Sequence, residues 1–253
     1  MRDARRAGSR RGCARRALGY REVRVAACGG AGYPGNRELK DMTGGAESRL
    51  PGEPEVEPPA WAAVDKFLAS EGVGLRCRDL FVDPGRQRLS ALCYVEHQER
   101  VLMLRRHKEP FAGHWTAPGG KLLPGEDPRE AVRREVWEEA GLVLERPELR
   151  LACSETGEGA AYNWVVFVFR ARPKVAEVAP ELLAGPRAAD EGQLDWLPKA
   201  ELAAYPIPDV DRRLLPYILA PADAPPYLVR IHYGPDHRVA AMHVQPLPRG
   251  AVD

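Results

Sequence analysis

This sequence lacks closely spaced cysteines and a long apolar run. Its five cysteines are odd in number and widely spread, with no Cys-x-x-Cys pair, so they indicate neither a disulfide framework nor a zinc site. No apolar run approaches the roughly 18 residues of a membrane span, and the arginine-rich start lacks the uninterrupted apolar core of a secretory signal. These absences favour a cytoplasmic protein with no membrane partner.

Net charge is also low, but it is unevenly distributed. The 253 residues have a formal charge of +1. Residues 1–40 contain ten Arg and one Lys against three acids, a net charge of +8, which leaves −7 for the remainder. An acidic domain repels phosphate backbones, so no stable nucleic-acid binding is expected.

Residues 1–59 have no sustained hydrophobic period, contain Gly-rich patches and end in PGEPEVEPP. This composition predicts a disordered basic and Pro/Gly-rich tail, followed by a single domain of residues 60–248. The tail could be an organelle transit peptide or a nucleic-acid-binding arm, and translation could instead begin at Met42. In each case the fold is expected to lie after residue 59.

The most informative stretch covers residues 120–142 and reads GKLLPGEDPREAVRREVWEEAGL. Asp127, Pro128 and Glu130 supply an N-cap, a first-turn proline and a capping-box acid. Gly141 supplies a left-handed C-terminal stop. These signals predict a short helix that begins at Pro128 and ends just before Gly141.

One side of this predicted helix is acidic. At about 100° per residue, Glu135, Glu138 and Glu139 fall within an arc of about 100°, beside an apolar stripe. Such carboxylates repel one another unless a cation neutralises them, and Mg²⁺ or Mn²⁺ takes carboxylate oxygens while leaving positions for phosphate oxygens. A solvated helix face is the alternative, but it leaves the preceding glycine loop unexplained.

Other segments indicate a mixed sheet with helices. Trp61, Val64, Phe67 and Leu68 have helical spacing. Strands are predicted at 89–95 and 101–106 as a hairpin, at 163–171, at 193–198, and in a closing hairpin of 227–233 and 237–244; helices are predicted at 200–205 and 211–219, the second bent at Pro216. Strands interleaved with helices predict an α/β fold with helices on the faces of the sheet.

The acidic helix and its glycine loop resemble the Nudix box, G-x5-E-x7-R-E-U-x-E-E-x-G-U, in which U is aliphatic. All nine fixed positions match: Gly120, Glu126, Arg134, Glu135, Val136, Glu138, Glu139, Gly141 and Leu142. The resemblance implies the Nudix α/β/α sandwich. It also implies hydrolysis of a nucleoside diphosphate linked to another group, with Mg²⁺ or Mn²⁺ neutralising the phosphate oxygens.

The resemblance also implies a set of metal ligands. They are the carboxylates of Glu135, Glu138 and Glu139 and the carbonyl oxygen of Gly120, with Glu135, Glu138 or a later acid as the general base. Glu191 stands just before the strand predicted at 193–198, where MutT-type members bind metal. A solvated loop acid is the alternative reading of Glu191.

Three further residues near the box take supporting roles by the same resemblance. Arg134 is expected to act in catalysis by orienting a box glutamate. Glu126 is expected to lie behind the metal ligands and hold them in place. Lys121 is a candidate phosphate contact, with simple solvation as the alternative.

Residues 92–142 resemble the branch that hydrolyses oxidised purine nucleoside triphosphates, and the likeness continues over about residues 89–244. Those enzymes convert 8-oxo-dGTP to the monophosphate and pyrophosphate, which removes it from the DNA precursor pool. By this likeness Asp209 and Asp211 would lie near the base pocket and Trp115 would line its wall. Helix capping by the aspartates and a core position for Trp115 are the alternatives.

One residue departs from that branch. The animal oxidised-purine enzymes have an asparagine after the tryptophan, where this chain has Thr116, and a hydroxyl cannot make the same bidentate contact with a base. Dinucleoside polyphosphates and ADP-ribose are therefore alternative substrates. A catalytically silent, nucleotide-sensing domain is a further alternative, although no box acid is missing.

Overall fold

The computed structural model describes residues 59–158, 162–236 and 238–250, with side chains from Trp61 onward. The predicted tail of residues 1–59 lies outside the described residues, apart from Pro59, which begins the first helix. Within the described residues, no helix is both long and apolar enough to cross a membrane. The buried cysteines Cys77, Cys93 and Cys153 are free thiols.

The described residues form four α-helices, ten strands and three short 3-10 helices. The α-helices are α1 (Pro59–Ser70), α2 (Cys77–Leu80), α3 (Pro128–Ala140) and α4 (Asp209–Ile218). The strands are β1 (Arg88–His97), β2 (Arg100–Arg106), β3 (Trp115–Thr116), β4 (Gly119–Lys121), β5 (Glu148–Thr156), β6 (Trp164–Ala171), β7 (Arg187–Ala189), β8 (Gly192–Pro198), β9 (Tyr227–Tyr233) and β10 (Val239–Pro246). The 3-10 helices are Val175–Glu177, Pro180–Leu183 and Lys199–Ala204.

All ten strands belong to one mixed sheet. Its order is β10-β9-β5-β6-β1-β2-β8-β7, while β3 pairs with β2 and β4 pairs with β1. The β1–β6 and β5–β9 pairs are parallel, and the others are antiparallel. The predicted mixed sheet with helices on its faces, and both predicted hairpins, are confirmed.

Strands β1 and β2 pair with each other only near their turn. Gln98 and Glu99 have φ angles of 47° and 59°, as a two-residue type I′ turn requires, and His97 pairs with Arg100. Beyond Val95, β2 leaves β1, and Gly120 of β4 takes its place beside Ala91 of β1. The chain between β2 and β4 therefore leads to Gly120, the first residue of the box, at a position beside β1.

The sheet separates two apolar cores. Because side chains alternate along β6, Phe167 and Phe169 pack in a first core with α1 and α3, while Val166 and Val168 pack in a second core with α4. Each fully buried side chain contributes about 1.5–3 kcal/mol of burial free energy. The box helix and α4 are thus fixed against opposite faces of one sheet.

Helix α3 has the predicted limits because its caps form as the sequence indicates. The Asp127 carboxylate accepts hydrogen bonds from the backbone N–H groups of Arg129 at 2.7 Å and Glu130 at 2.9 Å. Glu130 returns the bond to the N-cap backbone, and Gly141 ends the helix with φ at 65°. The position of the acidic face on this helix is therefore well defined.

Three local predictions differ from the structure. Strand β5 was not predicted, because the buried Arg150 and the partly buried Glu155 break its apolar alternation. The helix predicted at 200–205 is a 3-10 helix over Lys199–Ala204. Helix α4 begins at Asp209, two residues earlier than predicted, with Pro208 as its N-cap and Pro216 inside it.

Candidate active site

Two glycines of β4 bring the sheet into contact with α3. A Cβ atom on Gly119, whose φ is 146°, would clash with the carbonyl oxygen of Ala91. A Cβ atom on Gly120 would lie 2.5 Å from Oε1 of Glu135. The Glu135 carboxylate therefore packs against bare backbone, a close approach that other residues at position 120 would block.

Glu139 is a partly buried acid of the box. Its carboxylate accepts a hydrogen bond from the Gly119 N–H at 3.1 Å. Burial raises the pKa of Glu139 to about 7, against the lowering effect of that hydrogen bond, and the nearby carboxylates of Glu191 and Glu135 raise it further. The charges of Glu135, Glu139 and Glu191 therefore repel one another near β4, and a cation would relieve this repulsion.

Arg134 holds the other acids of the box in place. Its guanidinium donates to Glu126 at 2.8 Å, to Glu135 at 2.9 Å, to Glu138 at 3.1 Å and to the Lys121 carbonyl oxygen at 3.0 Å. These bonds, with that to Glu126 foremost, raise the pKa of Arg134. Arg134 therefore contacts three acids of the box, and its role in orienting them stays a prediction.

Glu126 is positioned by Arg134 and by backbone. Burial acts to raise the pKa of Glu126, but hydrogen bonds from Arg134 and from the Leu123 N–H outweigh it, so the pKa lies below its usual range. Both oxygens of Glu126 accept from Arg134. The Glu126 carboxylate is therefore engaged with Arg134, and it is not assigned as a metal ligand.

Glu191 lies on the box side of the sheet. It occupies the turn before β8, where its carboxylate pairs with Arg106 at 3.3 Å and its carbonyl oxygen accepts from the His107 N–H at 2.9 Å. Its charge is close enough to raise the pKa of Glu139. The fold thus brings Glu191 to the box from 52 positions further along the chain than Glu139.

The donor chemistry of this site suits a hard divalent cation. As they stand, no three His, Cys, Asp or Glu side chains among the described residues are arranged as a metal site. The available donors are nevertheless all oxygens, namely the carboxylates of Glu135, Glu138, Glu139 and Glu191 and the carbonyl group of Gly120. Oxygen donors are those that Mg²⁺ and Mn²⁺ prefer, so the residues fit such an ion.

The residues predicted near the base are distributed around the second core. Trp115 lies in that core and is 8% exposed. Its backbone N–H group donates a hydrogen bond to the Pro206 carbonyl oxygen at 2.8 Å. The Thr116 hydroxyl lies 3.5 Å from the Leu104 carbonyl oxygen. Lys121 is exposed, with its Nζ 6.0 Å from the ring centroid of Trp164.

The two aspartates of α4 have different surroundings. Asp209 pairs with Arg213 at 2.8 Å and its side chain is 51% exposed. Asp211 is partly buried by the protein, and desolvation raises its pKa to about 7. Asp211 also raises the pKa of the buried Tyr94 hydroxyl. The structure therefore brings Asp211, but not Asp209, to the interior side of α4.

Glu155 is a candidate site residue that the sequence analysis did not identify. It lies at the end of β5, close enough to Asp211 for the two carboxyl groups to interact. An acid that ends a buried strand could have drawn attention to it, but β5 itself was not predicted.

Helix α4 is anchored at its C-terminal end by two arginines. Arg150 of β5, which is 2% exposed, donates to the carbonyl oxygens of Ala220 at 3.1 Å and Pro221 at 3.2 Å. Arg170 of β6 donates to Ala220 at 2.8 Å. Ala220 and Pro221 directly follow the C-cap residue Leu219, so these bonds fix the chain at the end of α4 against the sheet.

Comparison with known proteins identifies a matching family model and similar proteins. A family model for the NUDIX domain matches residues 86–218. The human protein named 8-oxo-dGDP phosphatase NUDT18 is 38% identical over 119 residues, which cover 44% of this chain and 34% of that protein. The Bacillus subtilis Nudix hydrolase YvcI is 28% identical over 130 residues, covering 50% and 76% of the two chains. The chain thus matches about a third of the length of NUDT18.

A solved structure shares the fold. The crystal structure of a MutT protein from Bacillus halodurans has a TM-score of 0.51 and 27% sequence identity, covering 64% of this chain and 99% of that chain. The family model spans more than half of the 253 residues and includes β1, β4, α3 and α4. The chain therefore belongs to the Nudix hydrolase family.

Proposed function

We propose that this protein hydrolyses the phosphoanhydride bond between the α- and β-phosphates of an oxidised guanine nucleotide of the 8-oxo-dGTP or 8-oxo-dGDP type. Water adds to phosphorus, the bond to the bridging oxygen breaks, and the products are the monophosphate and pyrophosphate or phosphate. The supporting observation is the packing of Glu135 and Glu139 against the bare glycines of β4. The product would leave the pool of DNA precursors, as nucleotide-pool sanitation requires.

A divalent cation, Mg²⁺ or Mn²⁺, would be held by Glu135, Glu138, Glu139, Glu191 and the Gly120 carbonyl oxygen. When bound, such an ion neutralises phosphate oxygens and lowers the pKa of water. The protein positions the ligands in advance, because the Gly119 N–H fixes Glu139 and the Arg134 guanidinium fixes Glu135 and Glu138.

The water must lose a proton as its oxygen attacks phosphorus. Glu135 and Glu138 are the two candidate bases within the box. Both lie on the acidic side of α3, and both are paired with Arg134. The choice between the two glutamates stays open, and the pH profile of each Gln variant would separate them.

The nucleotide is proposed to extend from β4 towards α4. Lys121 would contact a phosphate at the mouth of the site, and Trp115 and Thr116 would shape the entrance on β3. Asp211 faces the interior and is assigned to the base pocket, whereas Asp209 is assigned to the ion pair with Arg213. The name of the human relative supports an oxidised guanine nucleotide as substrate.

The test is hydrolysis of a nucleotide panel with Mg²⁺ or Mn²⁺, with products identified by chromatography. The panel contains 8-oxo-dGTP, 8-oxo-dGDP, their unoxidised forms, a dinucleoside polyphosphate and ADP-ribose. We expect the highest kcat/KM for an 8-oxo nucleotide, with the monophosphate as product. A preference for the dinucleoside polyphosphate or ADP-ribose would contradict the proposed substrate, and an absence of turnover would favour a silent nucleotide-sensing domain.

A further inference from the structure

Glu155 lies in the interior of the sheet on the side that faces α4. Leu151 and Cys153 of β5 are buried in the second core, and the alternation of side chains places Glu155 on the same side of the strand. Glu155 is flanked by strands on both edges, since it pairs with Trp164 of β6 and Ile231 of β9. A carboxyl group at such a position loses hydration and needs hydrogen-bonding partners.

The partners of Glu155 within the protein are few and neutral. The Cys153 thiol donates to Oε1 of Glu155 at 3.7 Å, and the Tyr233 hydroxyl also hydrogen-bonds to the carboxyl group. Burial raises the pKa of Glu155 to about 7, with the Asp211 carboxylate raising it further. No Lys or Arg of the described residues forms an ion pair with either Glu155 or Asp211. Two facing carboxyl groups therefore lack a compensating charge.

Asp211 has spare hydrogen-bonding capacity. Across the described part of the chain, no side chain or backbone group donates a hydrogen bond to its carboxyl group, yet desolvation is strong enough to raise its pKa to about 7. Asp211 is only partly buried, and its oxygens are not among the buried polar atoms that lack a partner, so they remain reachable from outside the protein. A carboxylate can accept several hydrogen bonds, so Asp211 has acceptor positions open to the donors of a bound ligand.

Aromatic side chains surround this pair and connect it with the box. Tyr94 and Tyr233 are buried in the same core, and Trp164, directly beside Glu155, is partly buried and lies 6.0 Å from the Lys121 ammonium group. Strands β4 and β5 are three strand spacings apart across β1 and β6, which is about 14 Å. This separation suits a nucleotide whose phosphates lie at β4 and whose base reaches β5.

We propose that Glu155 is a specificity-determining residue that, together with Asp211, accepts hydrogen bonds from the N–H donors of a guanine-type base. The assignment rests on the proposed function and deepens it. Guanine presents adjacent donors on its Watson–Crick edge, the N1–H and the 2-amino group, which match two acceptors on different elements. Adenine has an acceptor at N1, so it cannot donate to both carboxyl groups from that edge.

The test compares binding of 8-oxo-dGMP with that of 8-oxo-dIMP, which lacks only the 2-amino group, by calorimetry. Neither ligand contains a phosphoanhydride bond, so the measurement does not depend on turnover. We expect the wild type to bind 8-oxo-dGMP about 10-fold more tightly, and Glu155→Gln and Asp211→Asn each to reduce this ratio to about 3-fold or less. Glu148→Gln is the matched control, because Glu148 is an exposed acid on the same strand.

A wild type that does not distinguish the two ligands, or variants that fold normally and keep the wild-type ratio, would overturn this assignment. Asp211→Asn provides the answer should Glu155→Gln fail to fold. The proposed function can fail separately: a protein that prefers 8-oxo-dGMP but hydrolyses no nucleotide retains the base site and loses the catalytic role. A protein that hydrolyses 8-oxo nucleotides without a 2-amino preference retains the reaction and loses this role for Glu155.

Discussion

The two acidic groups of this protein are assembled in different ways. Glu135, Glu138 and Glu139 lie within one turn and a half of a single helix, so their arrangement follows from local sequence spacing. Glu155 and Asp211 come from a strand and a helix that meet only in the folded sheet. Spacing along the chain therefore identifies the first group, whereas the pairing of Glu155 with Asp211 becomes visible only in the tertiary structure.

The two groups also differ in their counter-charges. Arg134 is bonded to Glu135 and Glu138, so cationic charge already accompanies the box acids. Glu155 receives only neutral donors, the Cys153 thiol and the Tyr233 hydroxyl. The first group is suited to exchange one cationic partner for another, and the second to accept hydrogen bonds from an uncharged ligand. The proposed roles differ accordingly: hydrolysis for the acids of α3, and binding of the base for Glu155 of β5 and Asp211 of α4.

The largest effect is expected from Glu138→Gln, which removes one carboxylate from the acidic group on α3. Loss of a ligand carboxylate should remove several kcal/mol of transition-state stabilisation and so lower kcat by at least about 100-fold. The thermal midpoint should stay close to that of the wild type, because the Glu138 side chain is 49% exposed. Steady-state kinetics and thermal unfolding check this, with the exposed Glu145→Gln as control. Near-normal turnover would refute the ligand role of Glu138.

A smaller effect is expected from Arg150→Met, which tests the anchoring of α4. Removal of the guanidinium leaves the Pro221 carbonyl oxygen without this donor and the Ala220 carbonyl oxygen with Arg170 alone, at a cost of about 1–3 kcal/mol in the free energy of unfolding. Denaturant unfolding measures this, and Arg172→Met on an exposed neighbour of the sheet is the control. Equal stability of the two variants would show that Arg170 alone suffices to hold the helix end.

The pH dependence of the free energy of unfolding tests the second acidic group, Glu155 and Asp211. Burial raises the pKa of both Glu155 and Asp211 to about 7 in the folded state, from ordinary values of 4.5 and 3.8. The folded state therefore binds more protons between about pH 4 and pH 7, and the free energy of unfolding should fall as the pH rises through that window. The effect is on the order of 1 kcal/mol per pH unit.

Urea unfolding at pH 5, 6, 7 and 8 checks the sign. The double variant Glu155→Gln with Asp211→Asn should have a shallower decline than the wild type. The facing groups Tyr94, Cys153 and Tyr233 have pKa values raised further above their ordinary range, so they stay neutral throughout this window. Parallel profiles for the wild type and the double variant would contradict the assignment of buried, interacting carboxyl groups.

The smallest effect is expected from deletion of residues 1–41. These residues lack a periodic apolar pattern, so they should contribute nothing to either core, and the domain is proposed to begin near residue 60. Thermal midpoint and kcat/KM should match those of the full chain within error. A marked fall in the thermal midpoint would show that the basic segment has a structural role.

Much of the fold was predictable because its signals are local. The limits of α3 follow from Asp127 and Gly141, and the β1–β2 hairpin follows from two apolar runs around a polar turn. Strand β5 was not predictable in this way, because Arg150 and Glu155 are charged residues on a strand whose other positions are mostly buried. Arg150 is tolerated there only because it meets the end of α4, a contact that sequence spacing does not contain.

The candidate site divides in the same manner. The glycines of β4 and the glutamates of α3 are adjacent in sequence, so the box could be identified without coordinates. Glu191 reaches the box through the pairing of β8 with β2, and Asp211 is distinguished from Asp209 only by the face of α4 on which it lies. Burial and partner identity, not residue type, separate these acids.

The most direct test of the proposed division is a comparison of kcat and KM for the wild type, Glu138→Gln and Glu155→Gln, each with 8-oxo-dGDP and with its analogue that lacks the 2-amino group. The account predicts that Glu138→Gln lowers kcat for both nucleotides and keeps their KM ratio. Glu155→Gln should keep kcat and bring the two KM values together. If Glu155→Gln instead lowers kcat equally for both nucleotides, as Glu138→Gln does, the separation of chemistry from base recognition is wrong.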